Sequence, residues 1–405
     1  MPPKAAGKGG KEKKKIDQGN VLTATALKVT YLSSCKAMVQ PPNAQLLAVL
    51  ENAIEFGKSI EKLTFRDDEL GAQGMRAVMD MLAGYSKLKN LCLWRCRLGN
   101  AGVAAICDYL RGSTDKWSKM SPLRLLEITC DYDPPLLEPF PPPPSTSAVE
   151  GAELQTAPIA PNAKPKEAWS AASQEKKVTI ATPPPVDMGY DSPGAEQKNI
   201  KIDLDMLEQL GSTIGKQRIV LRVLVLDHNG MGDEGARLLC LGLRQSTSLQ
   251  QLSLAYNNIG AHGATHIAPL LQPTTLCPLM ALNLHGNYLG NEGLIAIAGS
   301  LPVTSTLQVM NLASNRIDSN LAVIRTFCEC LVPNNTLVKV DLNFNHLNTD
   351  AIKELLPVIA SKPNIIQFRI APRIQKEIAD ELFTMLAERN KKKKGKGKGK
   401  GKKKK

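Results

Sequence analysis

The chain has 405 residues, 43% of them apolar but only 4% aromatic, so aliphatic side chains must fill any core. No run of about 18 apolar residues is present, which predicts no membrane-spanning helix. The formal charge of +13 lies at the ends: residues 1–15 carry +5 and residues 391–405 carry +11, and taking both from +13 leaves residues 16–390 at −3. A nucleic-acid groove along so neutral a body is disfavoured.

In chain order, residues 1–20 form a basic leader with no apolar stretch behind it, expected to be disordered and not a secretory signal. Residues 21–129 hold an N-terminal cap, with a helix over 42–59, and repeats 1–3, the third represented by its strand alone. Residues 130–200 are proline-rich without sustained periodicity and read as a disordered insert. Units of the same kind resume over 201–375, beginning with a helix over 202–215. A capping helix is expected over 376–390, and a disordered Lys/Gly tail over 391–405.

The units share a ladder, clearest in Leu249–Gly263 and Leu279–Gly293. Leucine stands at positions 1, 4 and 6, asparagine at 9, an apolar residue at 11 and glycine at 12 and 15. Strands are predicted to begin at Ile60, Leu88, Leu123, Leu221, Leu249, Leu279, Leu307, Leu337 and Ile365. From Leu221 the spacing alternates between 28 and 30 residues; from Leu123 to Leu221 it is 98. A segment with helical spacing follows each strand, as in 236–246 and 322–332. Strand 3 lacks its helix before the insert and a helix without a strand follows it, which favours one solenoid interrupted by a loop. Such units cannot bury their apolar faces alone and must stack.

Ladder, asparagine and paired glycines recurring together resemble the ribonuclease-inhibitor type of leucine-rich repeat over residues 43–390. The resemblance implies an α/β horseshoe solenoid, with about nine parallel strands on the concave face and helices on the convex face. It also implies that the position-9 side chain points inward to bond loop backbone, a role in which Cys96 can stand for asparagine. Stand-alone flagellar and ciliary repeat proteins with short MPPK-type leaders are similar.

Ladder positions 7 and 8 end each strand and should face the hollow. They supply a candidate partner-binding set: Arg66, Trp94, Arg95, Asp227, His228, Tyr256, His285 and Phe344, rich in the residue types that dominate interface hot spots. Lys391, Lys392, Lys393, Lys394, Lys402, Lys403, Lys404 and Lys405 are candidates for tethering the chain to an anionic surface. No catalytic constellation emerges. The segment Phe56–Ser59 lacks the first glycine of a phosphate loop, and all five histidines read as turn or solvated residues. Nine cysteines without a C-x-x-C pair suit a reducing compartment, and neither a metal nor a cofactor is expected. The Phe140–Pro144 string resembles a ligand of EVH1 domains, although a plain linker accounts for it.

These features favour a non-catalytic protein-interaction scaffold. The expected setting is cytoplasmic: an axonemal, ciliary or other cytoskeletal component whose lysine-rich ends hold tubulin tails. An RNA-associated nuclear or nucleolar factor anchored by the same tail is the alternative. Regulation of a small GTPase is a further reading, weakened by the lack of an obvious catalytic arginine.

Overall fold

The computed structural model describes residues 23–67, 70–112, 121–129, 202–370 and 374–398, which belong to one compact unit. Nine parallel strands pair in chain order: β1 (Lys62–Arg66), β2 (Asn90–Trp94), β3 (Leu125–Thr129), β4 (Val223–Val225), β5 (Gln251–Ser253), β6 (Ala281–Asn283), β7 (Val309–Asn311), β8 (Lys339–Asp341) and β9 (Gln367–Arg369). Each starts two residues after its predicted ladder start. The reason is that the first leucine, such as Leu221 or Leu249, is buried in the corner before the strand.

Parallel neighbours need a crossover, and here helices supply it. These are α3 (Gly71–Leu82), α4 (Gly99–Arg111), α5 (Leu204–Ile214), α6 (Gly232–Leu243), α7 (Ala261–Ile267), α8 (Gly290–Ala298), α9 (Leu321–Leu331) and α10 (Thr349–Ser361), each packed on the next. Side chains alternate along a strand. Positions 4 and 6, such as Leu252 and Leu254, therefore join the core beneath the helices, while positions 3, 5 and 7 occupy the opposite, open face of the sheet. The turn into a helix uses glycine at position 12: Gly71, Gly99, Gly232 and Gly290 have φ of 55–63°, a region costly for residues with a Cβ. Gly260 departs from this and is extended, at φ −97°.

The asparagine column is the internal brace. Asn257 Nδ2 donates to the carbonyls of Leu226 (2.8 Å) and Ala255 (3.1 Å), while its Oδ1 accepts from the Asn229 amide (3.0 Å). Asn229, Asn287, Asn315 and Asn345 are also buried and bridge repeats in the same way. The Cys96 thiol takes this place in the second repeat, donating to the carbonyls of Phe65 (3.6 Å) and Trp94 (3.5 Å). Each amide thus satisfies backbone groups that the turns would otherwise leave unpaired.

The long 98-residue spacing has a local explanation. β3 pairs directly with β4, Leu125 opposite Val223, and α5 lies between α4 and α6. Asn100 and Asp203 clasp one another: the Asp203 amide donates to Asn100 Oδ1 (2.9 Å), and Asn100 Nδ2 donates to the Asp203 carboxylate. Asn291 and Asp318 make the same clasp, with Asp318 at position 12 of its repeat. Asp203 is therefore position 12 of the third repeat, and buried Ile202 is its position 11. Ile202 follows Leu123 by 79 residues, whereas Met231 follows Leu221 by 10, an excess of 69. Subtracting 69 from 98 leaves 29, an ordinary repeat length.

Both ends differ from expectation. A helix α1 (Ala24–Ala37), which the sequence reading did not identify, packs on α3, with α2 (Ala44–Glu55) beside it. Its buried side is only Leu27, Tyr31 and Cys35, four residues apart, and the Tyr31 hydroxyl accepts from the Asn43 amide (2.9 Å). At the other end the capping helix does not stop at residue 390: α11 spans Lys376–Lys398 and so takes in the start of the expected disordered tail. An anchored helix is already nucleated, and lysine has good helix propensity, so continuing it needs no apolar partner. The leader, the insert and residues 399–405 lie outside the described residues.

Candidate partner-binding face

Position 8 carries a shared backbone peculiarity. Asp67, Arg95, His228, Tyr256, Ser314 and Phe344 all have φ between 50° and 59°, and Gly286 has 70°. Left-handed backbone at non-glycine residues is sparsely populated and is held here by the repeat on either side. The column is thus a fixed rim where each strand turns out of the sheet.

The predicted set divides into three places. Near the N-terminal end, the Arg66 guanidinium lies over the Trp94 ring at 5.0 Å, and Arg95 pairs with Asp67 at 3.2 Å. Trp94 is opposite Thr129 in the β2–β3 register. The Trp94 indole N–H and the Thr129 hydroxyl, on a residue only 3% exposed, are buried with no hydrogen-bond partner among the described residues. Phe344 stands apart at the far end, 66% exposed.

The middle is a connected cluster. His228 stacks on Tyr256 with ring centroids 4.3 Å apart, and Tyr256 meets His285 edge-on at 4.8 Å. Burial pushes the His228 imidazole down to about 4, helped by neighbouring His285, and lowers His285 as well. The Tyr256 hydroxyl and His285 Nε2 share a hydrogen bond of 2.5 Å. Asp227 is buried beside them, and its Oδ1 accepts from the Ser253 hydroxyl (2.6 Å) and the Ala255 amide (2.8 Å). Burial outweighs those bonds and raises the carboxyl to about 6. Asn283 Nδ2 then donates to Ser253 Oγ (2.8 Å), extending the chain to a third strand.

Two expectations need correction. His228 is neither solvated nor a free turn residue: it is 5% exposed, because the left-handed turn lays its ring on Tyr256. Asp227 likewise serves the sheet through Ser253 and Ala255 and presents little surface. Ser253 and Asn283 were missed. Small polar residues at position 5 of successive strands were the available signal. Of the tether candidates, Lys391 is exposed and residues 391–394 lie within α11, whereas 402–405 lie outside the described residues. Seven of the eight described cysteines are buried free thiols; Cys92, on the open face, is pushed up to about 12 by burial and by Glu127, so it stays a thiol. No described group of three or more His, Cys, Asp or Glu side chains could hold a metal, and no described helix is long and apolar enough to cross a membrane.

Gly286 is where this cluster is most sensitive. A Cβ there would enter the Tyr256 ring, and φ of +70° would add backbone strain. Gly286→Ala should cost about 2 kcal/mol in urea unfolding; a loss under about 0.5 kcal/mol would show that the ring is free to move.

A family profile described as "Leucine Rich repeat" matches residues 219–240, 245–268 and 275–298. The ribonuclease inhibitor of Sus scrofa is 27% identical over 330 residues, covering 76% of this chain and 70% of that protein. The chain thus carries leucine-rich repeats similar to those of ribonuclease inhibitors. The ribonuclease inhibitor of Mus musculus is 30% identical over 138 residues, 34% of this chain and 30% of its own length. Among solved structures, the C-terminal domain of Caenorhabditis elegans tropomodulin matches at 19% identity. It covers 42% of this chain and 83% of that one with a TM-score of 0.28, too low to bear on function. The nine-stranded repeat sheet is a protein-interaction scaffold.

Proposed function

We propose that this leucine-rich repeat protein is a non-catalytic scaffold of the cytoskeleton, in particular of an axoneme. One protein partner docks on the open sheet face, and the lysine-rich ends hold the anionic tails of tubulin. The observation that carries the docking surface is the pairing, within one continuous sheet, of the Arg66–Trp94 group with the His228–Tyr256–His285 cluster. Such groups keep aromatic and arginine side chains fixed before a partner arrives, which limits the ordering cost of binding.

Two measurements separate the parts of this reading. Microtubule co-pelleting should fall at least tenfold on deleting residues 391–405 and should weaken steeply with salt. Unchanged pelleting would remove the tail from the mechanism, and retention on RNA instead would favour the nuclear alternative. Replacing Trp94 and Tyr256 together by alanine should leave the melting transition cooperative while weakening partner capture at least tenfold, since a hot-spot residue carries about 2 kcal/mol or more. Capture that survives both changes would move the working surface off the sheet. Microscopy of the tagged chain in its own cell tests the axonemal placement.

A further inference from the structure

The residue just before each strand, ladder position 2, forms a column along one edge of the sheet. From the fifth repeat onward it is uncharged: Gln250, Met280, Gln308, Val338 and Ile366. In the second to fourth repeats it is Lys89, Arg124 and Arg222, all exposed. Backbone bonds hold these three in line: the Arg124 amide donates to the Lys89 carbonyl (2.7 Å) and the Arg222 amide to the Arg124 carbonyl (2.8 Å). Neighbouring strands lie about 4.8 Å apart, so the row is about 10 Å long. The turns beside it add exposed Lys87, Lys216 and Arg218, and residues 83–89, 121–124 and 215–222 contain no acid. Lys89 pairs with Glu61 at 2.9 Å, whereas Arg124, Arg222, Lys216 and Arg218 make no ion pair among the described residues. Like charges set directly across neighbouring strands are destabilising, and the later repeats fold with neutral residues in the same place. The fold itself therefore has no need of this row.

We propose that this basic edge is a binding site for an acidic peptide segment, a run of aspartate and glutamate laid in extended conformation across the starts of β2, β3 and β4. Arginine suits the task, because its planar fork grips a carboxylate through two parallel hydrogen bonds. A single small anion would engage only part of the row. An extended chain presents a carboxylate on one side about every 7 Å and can follow the row from end to end. A peptide is favoured over single-stranded nucleic acid, whose bases need an aromatic surface on which to stack. The aromatic residue among the described residues of this edge, Tyr85, is buried, its hydroxyl accepting from the Ile60 amide (2.7 Å). Half-buried Leu125 and Val223, the first residues of β3 and the start of β4, give an apolar residue of the segment a place beside the arginines. The site is separate from the His228–Tyr256–His285 cluster and from the lysine-rich ends, and it does not depend on an axonemal setting.

A photoactivatable glutamate octapeptide, cross-linked to the full-length protein at low salt and mapped by mass spectrometry, tests this. Cross-links are expected at residues 87–89, 121–125 and 216–223. Those that also form on the lysine-rich ends serve as an internal control. The double variant Arg124→Gln, Arg222→Gln should cut the edge cross-links by about tenfold or more, while those on residues 391–405 stay unchanged. It should also melt at or above the wild-type temperature, because it relieves the contact between like charges. Cross-links confined to the two ends of the chain would overturn the proposal, as would edge cross-links that survive the double change. A variant that melts lower would overturn it by making the arginines structural. A single-stranded oligonucleotide that displaces the peptide from the edge at an equal concentration of negative charge would overturn it in favour of nucleic acid.

Discussion

Asn287→Ala is expected to destabilise the protein by about 4 kcal/mol and to lower its melting temperature accordingly. Asn287 Nδ2 donates to the carbonyls of Leu254 (2.9 Å) and Leu284 (3.0 Å), and its Oδ1 accepts from the amides of Asn257 (2.9 Å) and Ile259 (3.0 Å). Leu284 keeps a second donor in Asn315 (2.8 Å). Alanine therefore strands two N–H groups and one carbonyl in a site that water does not reach, at about 1–3 kcal/mol each. Equilibrium urea unfolding gives the number. A loss below about 1 kcal/mol would mean that the turns pair themselves without the amide. Because repeats are coupled through their neighbours, the change should also split a single transition, with the repeats on either side of β6 unfolding at different urea concentrations.

The second large effect concerns Asp227. Its carboxyl is raised from 3.8 to about 6 by burial, a change worth about 3 kcal/mol. Since the folded value lies above the unfolded one, the stabilising contribution is complete below pH 3.8 and is lost as the pH rises through about 6. Asp227→Asn removes the ionisation while keeping the Oδ1 that accepts from Ser253 and Ala255. The variant should match the wild type near pH 4 and exceed it by about 3 kcal/mol above pH 7. His228 works in the opposite sense. Its folded value is lowered to about 4, so its contribution is complete above pH 6.5 and is lost as the pH falls through about 4. It is present in both proteins, so the difference between their stability curves isolates Asp227. A difference that does not change between pH 4 and 8 would show that the carboxylate is already solvated.

The ladder was legible because its leucines and asparagines face inward at fixed spacing, so nine strand starts could be placed with a constant two-residue offset. The helix α1 was not, since three buried side chains in fourteen residues make a faint stripe. The continuation of α11 was hidden for another reason: composition describes what lysine does alone, and here a packed helix precedes it. At the candidate face the residue types were readable but their association was not. Tyr256 reaches His285 and lies on His228 through cross-strand register combined with a left-handed turn at position 8. Neither pairing leaves a trace in spacing. Asp227 and His228 were placed on an open surface because such side chains are commonly solvated; the sheet instead encloses them.

The joint at Ile202 and Asp203 divides the sequence into parts under unequal constraint. Because the third repeat closes with its ordinary position 11, its ordinary clasp and an ordinary length of 29 once 69 residues are set aside, the proline-rich passage is free to be lengthened, shortened or rewritten without a compensating change in the core. The adjoining repeats, braced by buried amides, have no such freedom. Substitutions and length changes among descendants of this sequence should therefore accumulate in that passage, and a reporter domain placed within it should leave the repeats folded.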